Sequence, residues 1–287
     1  MQTLTSAPPV LIDAARLCLW FVALMALFVP LERIFGLRRQ LVFRKAFGTD
    51  VLYYFLSGLV PKLLLAVPLS TAAAVFHRLT PAAYYDWMAG LPGILRLAAA
   101  FFIGEVGAYW GHRLSHEIPW LWRFHAIHHN AEEVDWLVHT RAHPVDMVFT
   151  RLCGLLPLYA LGLIQPYASR ADWTIIWLTL VGTAWGFFVH ANLNLRLGPI
   201  EWLVSTPAFH HWHHTNDGAA YINKNYAPLF PCVDALFGTF YLPRKWPTKY
   251  GIDTPLPPQF ALQLVEPLLP SSPPQPAPPA QIRASHS

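Results

Sequence analysis

Runs of apolar residues too long for the core of a soluble domain constrain this chain before any motif does. A helix needs about 20 predominantly apolar residues to cross a bilayer. Five blocks approach that length: Leu11–Leu31, Val51–Val75, Ile94–Trp110, Val148–Ile164 and Trp173–Val189. The first carries Asp13 and Arg16 near its outer end, its basic residues follow the apolar run, and no A-x-A site closes it. It therefore reads as a span, not a cleaved leader. The second is interrupted by Pro61, Lys62 and Pro68, which leaves open a kinked span or a span plus a re-entrant turn. Composition agrees with a membrane protein: 54% of residues are hydrophobic and 13% charged, against about 25% charged in soluble domains.

The basic residues lie in short connectors and orient the spans. Arg33, Arg38, Arg39, Arg44 and Lys45 follow the first block, so that connector is expected in the cytoplasm. Alternation places the Arg78–Pro92 and Gln165–Asp172 connectors outside, and Gly111–Met147 and everything after His190 inside. The net charge of +4 is not arranged as a basic stripe interleaved with aromatics, so no nucleic-acid partner is expected. Cys18, Cys153 and Cys232 show no CxxC spacing and read as inert thiols.

The expected fold is all-α: a polytopic transmembrane helix bundle of about four to five spans beneath a cytoplasmic, histidine-rich helical cap. Residues 1–92 are expected to form the N-terminal spans and 93–250 the domain that carries the histidine-rich cap. Residues 251–287 form a Pro-rich tail, expected to be disordered from about Thr254.

Fourteen histidines are distributed very unevenly: seven lie between His112 and His143, and four between His210 and His214. They form three words, His112-Arg-Leu-Ser-His116, His125-Ala-Ile-His128-His129 and His210-His211-Trp-His213-His214. Residues three and four apart share a helix face. His112 and His116 therefore pair, His125 groups with His128 and His129, and His210 groups with His213 and His214. His211 falls out of phase, and His77 and His286 lie outside the cytoplasmic clusters. The orientation above puts all three words on one face of the membrane, so a single shared site is the economical reading. Eight imidazoles exceed what one zinc accepts. Two ions with four or five imidazoles each fit, and redox-active iron with an open position for oxygen is the natural occupant, although imidazole affinity alone also admits zinc or copper.

Between about Gly104 and Leu242 the chain resembles the fatty acid hydroxylase/sterol desaturase superfamily of membrane di-iron oxygenases. The resemblance rests on the three words in order and on Trp120-Leu-Trp-Arg-Phe-His125, Arg141-Ala-His-Pro144, His190-Ala-Asn192, Asn225-Tyr226 and Asp234-Ala-Leu-Phe-Gly-Thr239. It implies a cytoplasmic-side di-metal centre under a lipid-accessible cavity. It adds His143 and His190 to the eight imidazoles, for about ten ligands, and gives His139 no ligand role. Candidates to orient the imidazoles are Asp146, Asn192, Asn194 and Asp234. Glu105 is a further suspect as an ionisable residue within a span, although Gly104 and Gly107 beside it equally suit a packed, hydrogen-bonded interhelical Glu.

The expected activity is O2-dependent hydroxylation of a lipid-like substrate (fatty acyl chain, sterol, carotenoid or lipid head group) by two iron ions. Desaturation at the same centre is an open alternative, because it differs only in how the carbon radical is resolved. A non-redox zinc hydrolase is disfavoured, since no box contains the Glu of HExxH. With no GxGxxG fingerprint and no Cys cluster, electrons are expected from an external ferredoxin or b-type cytochrome with its reductase.

Overall fold

The computed structural model describes residues 8–165 and 173–269. Among these residues it contains ten α-helices, three short 3-10 turns and no strand. The apolar blocks become α1 (Pro9–Phe35), α2 (Phe47–Leu79), α4 (Gly93–Glu117), α6 (Pro144–Ala160) and α7 (Thr174–His190). Short helices α3 (Ala82–Gly90), α5 (Pro119–His129), α8 (Pro207–His213), α9 (Pro231–Phe237) and α10 (Phe260–Val265) fill the connectors and the C-terminal segment.

Three helices, α1, α2 and α4, are long and apolar enough to cross a membrane. Their outward faces are oily: Leu63 is 69% exposed and Val67 72%, as expected of side chains turned to lipid. The chain is therefore a membrane protein. The other two expected spans are each a 17-residue helix, at the short limit for crossing. Val148–Ile164 is corrected at both ends: α6 starts at Pro144 and gives way to a turn after Ala160, where Gly162 takes φ +63°. Residues 166–172 of the expected outer connector and His286 lie outside the described residues.

The open question about Val51–Val75 resolves into a single 33-residue helix running through both Pro61 and Pro68. Lys62, the charge that interrupts the block, forms an ion pair with Asp13 of α1. At about 50 Å, α2 is longer than the hydrocarbon layer, and its first turn belongs to the cap. There Asp50 anchors a buried charge network. Arg44 holds Asp135 through two hydrogen bonds of 2.7 and 2.8 Å and Asp50 at 2.6 Å, while Arg141 reaches Asp50 at 2.5 Å. Arg44, one of the basic residues expected to orient the spans, thus serves inside the protein. Glu32 near the end of α1 accepts the backbone N–H groups of Trp136 and Asn192, both at 2.9 Å, and ties the first helix to the cap.

Proline sets where the cap helices begin. Pro119, Pro144, Pro207 and Pro231 each occupy the first turn of their helix, where the missing N–H is free of consequence and φ is already helical. Helices α4 and α6 approach closely through small residues. A Cβ on Gly107 would lie 2.2 Å from the carbonyl oxygen of Cys153, and one on Gly111 2.8 Å from the Cys153 Cβ. This contact fixes the height of α4 relative to α6 one residue before His112.

The expected disorder from Thr254 is corrected as well. The chain from there to Leu269 carries α10 and a 3-10 turn (Glu266–Leu268), and Gln263 is buried with its Oε1 accepting the Tyr53 hydroxyl at 3.1 Å. The Pro-rich composition of the surrounding tail masked this docking helix, which at six residues (Phe260–Val265) is too short to register as a periodic pattern.

Candidate metal centre

The last two turns of α4 carry His112 and His116 beyond the apolar part of the helix. Helix α5 turns back beneath them with His125, His128 and His129, α7 ends on His190, and α8 brings His210 and His213 with His214 as its cap. The side chains meet in two groups. His112, His116, His125, His129 and His213 form one; His128, His190, His210 and His214 form the other, with ligand atoms inside each group within 4.8 Å of one another. The groups adjoin, since the His129 ring stacks on that of His214 at 4.5 Å. Each HxxHH word is therefore divided. Residues four apart (His125/His129 and His210/His214) serve one group together, and the intervening His128 or His213 turns to the other.

Nitrogen spacing tests whether these residues fit a metal. In the second group, Nε2 of His190 lies 2.9 Å from that of His210 and 3.2 Å from those of His128 and His214, and His210 and His214 are 3.2 Å apart. Ligands about 2.1 Å from one ion stand roughly 3.0–3.4 Å from each other. Neutral imidazoles cannot satisfy so many converging nitrogens by hydrogen bonds alone, because each has a single N–H. Buried nitrogens without any partner occur in both groups, at Nε2 of His116, His129 and His213 and at Nδ1 of His210 and His214. The arrangement fits a pair of metal ions.

The opposite edges of six of the rings are fixed. Nδ1 of His112 faces the Tyr226 carbonyl at 2.7 Å, His128 the Arg141 carbonyl at 3.1 Å, His190 the Gly186 carbonyl at 2.7 Å and His213 the Lys224 carbonyl at 2.9 Å. His125 Nδ1 meets Asp146 Oδ2 at 3.0 Å, and Asp146 also accepts the Ser115 hydroxyl at 3.2 Å. His116 Nδ1 meets Asn223 Oδ1 at 3.2 Å. Donation from Nδ1 leaves the Nε2 lone pair for the metal. Burial, reinforced by neighbouring imidazoles, holds His128, His129, His210, His213 and His214 well below the usual histidine pKa. They are neutral at physiological pH, the form that ligates metal.

Nine of the ten expected ligands lie in the two groups, and His143 does not. As N-cap of α6 its Nδ1 accepts the Val145 N–H at 3.1 Å, while Nε2 faces the Leu264 carbonyl at 3.1 Å. Both nitrogens are engaged by backbone, so the ring is a link between α6 and the C-terminal segment. His211 also lies outside: Nδ1 meets the Tyr250 hydroxyl at 2.6 Å and Nε2 the Ala191 carbonyl at 3.1 Å. His77 sits at the far end of α2. His139 packs beside the second group, with its ring 5.4 Å from that of His190.

Of the five expected orienting residues, Asp146 alone bonds an imidazole. Asp234 acts one step back, accepting the Tyr226 and Ala227 N–H groups at 2.7 Å each and so holding the carbonyl that meets His112. Asn192 instead brackets the backbone of Arg38, and Asn194 is exposed. Glu105 accepts the N–H groups of Leu229 and Phe230 at 2.6 and 2.8 Å and anchors the same loop to α4. The backbone carbonyls that orient four of the rings carry no sequence signature. Nor did the sequence single out Asn223, which reaches His116 from left-handed backbone (φ 60°).

The family model described as fatty acid hydroxylase matches residues 97–239. The chain is 33% identical to the ornithine lipid hydroxylase of Rhizobium tropici over 87% of its own length and 76% of that protein. It is also 29% identical to the alkylglycerol monooxygenase of Xenopus tropicalis and 28% to that of Homo sapiens. About half of this chain and about a third of each monooxygenase is covered, at 54% and 32% for the first and 55% and 33% for the second. No solved structure matches it. A membrane helix bundle capped by two buried imidazole groups defines an oxygenase of lipid-like substrates. The chain belongs to the fatty acid hydroxylase family.

Proposed function

We propose that the two groups hold a pair of iron ions and that the protein uses O2 to hydroxylate a membrane lipid near its head group. The convergence of five and four imidazoles on adjoining points carries this reading. When bound, such a pair supplies O2 activation and oxidation of an unactivated C–H bond. This chain's own residues do the rest. The nine imidazoles bind, while Asp146 and the carbonyls of Tyr226, Arg141, Gly186 and Lys224 orient them. Burial of the rings under α4 and α5 excludes bulk water, which protects a reactive centre from side reactions. Reducing equivalents enter from an external ferredoxin or b-type cytochrome with its reductase. Arg33, Arg38 and Arg39 favour a cytoplasmic cap under the positive-inside rule, and reporter fusions after Lys45 and after Leu242 are expected on the same, cytoplasmic side.

The relative acting on ornithine lipid supports an amino-acid-headed lipid as the first substrate to try. The test is turnover by the purified, iron-loaded protein with reduced ferredoxin and labelled O2. A lipid product heavier by one labelled oxygen supports the proposal. Loss of two hydrogens without label would instead make the protein a desaturase, and unchanged lipid with consumed reductant would refute both.

A further inference from the structure

A cavity of about 200 Å³ opens at the end of α1, where the first span meets the cap. It lies apart from the imidazole groups, with no histidine among its described lining residues. Arg33, from the last turn of α1, lines it together with Arg38 and Arg39 of the connector that follows. None of the three is in an ion pair among the described residues. Two carboxylates also lie in the wall, and both are engaged. Glu32 accepts the N–H groups of Trp136 and Asn192 on one oxygen, and the Arg44 guanidinium bonds both oxygens of Asp135. The cavity therefore holds an excess of positive charge.

Its walls are built without a ligand. Asn192 clasps the connector: its Oδ1 accepts the Arg38 N–H at 3.0 Å, and its Nδ2 donates to the Arg38 carbonyl at 2.7 Å. The Leu37 N–H donates to the Asn192 carbonyl at 3.1 Å, and Arg33 Nη1 to the Gln40 carbonyl at 2.9 Å. The Arg38 guanidinium lies 4.1 Å over the Tyr250 ring and donates to the Pro247 carbonyl. Neither contact neutralises its charge. The Arg39 side chain is exposed and makes no hydrogen bond among the described residues.

The rim distinguishes a lipid from a soluble anion. Ile34 and Leu41 line the cavity and are 70% and 72% exposed, and Phe35 and Phe43 beside them are exposed as well. At the end of a span, such side chains belong in lipid. We propose that the cavity binds the phosphate of an acidic phospholipid from the surrounding bilayer, whose acyl chains lie along the exposed face of α1. Basic pockets at this level suit such head groups, because guanidinium groups hold phosphate through paired charge-assisted hydrogen bonds. The volume is below the roughly 300 Å³ at which drug-sized pockets begin, so the cavity takes a head group and leaves the chains outside.

Equilibrium binding by the full, metal-loaded chain in uncharged detergent tests the site without turnover, and so independently of the hydroxylase reading. The probes are dioleoyl phosphatidylglycerol, dioleoyl phosphatidylcholine as the control without net charge, and inorganic phosphate as the soluble anion. Ionic strength is held constant. The wild-type protein is expected to bind phosphatidylglycerol roughly 10-fold or more tightly than phosphatidylcholine. Arg39→Gln, which has no hydrogen bond to lose, and Arg33→Gln are each expected to cut that preference about fivefold. Lys45→Gln, an exposed cation of the same connector outside the cavity, should leave it unchanged. Equal binding of the two lipids by the wild type overturns the site, as does an undiminished preference in both arginine variants. An equal loss in Lys45→Gln also overturns it, since attraction to a charged surface would then suffice. Displacement of the lipid by millimolar phosphate would make the ligand a soluble anion and overturn the lipid assignment.

Discussion

His128 and His143 show how far residue identity leads and where geometry takes over. Both belong to words that resemble the family pattern, yet His128 presents Nε2 to His190 at 3.2 Å while His143 spends both nitrogens on backbone. His128→Ala is expected to lose metal from the second group and abolish turnover. His143→Ala should keep full metal content and lose about 1 kcal/mol of stability with its cap. Elemental analysis of both variants decides, and metal loss from His143→Ala would return that residue to the ligand set. The histidine words were legible because helical phase alone brings residues three and four apart together. That phase could not show that the words divide between two groups, which depends on how α5 and α8 cross. Asp146 was legible as a carboxylate near a box. Asp146→Asn should weaken metal binding at the first group roughly 10- to 100-fold, measured by competition with a chelator, and unaltered affinity would remove Asp146 from its orienting role.

Apolar block length located α1, α2, α4 and α7 closely, because the bilayer imposes it. It failed where an element is held by a few long-range contacts, as for α10 and its Gln263–Tyr53 hydrogen bond. It also treated Arg44 as an orienting charge, since no local pattern foretells pairing with Asp50 and Asp135. The closeness of α4 and α6 was legible only as glycines in a span. Gly107→Val puts a side chain where the Cys153 carbonyl stands, so the helices must separate. The expected loss is about 1–3 kcal/mol or more, together with metal from the first group. Gly90→Ala, where an added Cβ meets nothing within 4 Å, is the control. Equal thermal midpoints for the two variants would contradict a close-packed α4–α6 contact.

At the scale of the whole molecule, burial of so many neutral histidines makes stability depend on pH. Burial pushes His211 down to about 4, and His139 likewise to about 4, whereas unfolded histidine titrates near 6.5. Below about 6.5 the unfolded chain takes up protons that the folded chain refuses, so stability is full above that value and falls as pH drops toward 4. The thermal midpoint should be lower at about pH 5 than at about pH 7.5, and His211→Gln should shallow the decline while lowering the midpoint throughout. A flat profile would mean these rings are solvated.

Fold, site and family converge on one claim, that the cap holds a dinuclear centre bound by imidazole. The most direct test is the metal-to-chain ratio of the detergent-purified protein, by elemental analysis on material shown to be folded. The account predicts about two ions per chain, chiefly iron, falling by about one in His128→Ala. A folded protein with a ratio near one or zero after iron reconstitution would contradict it.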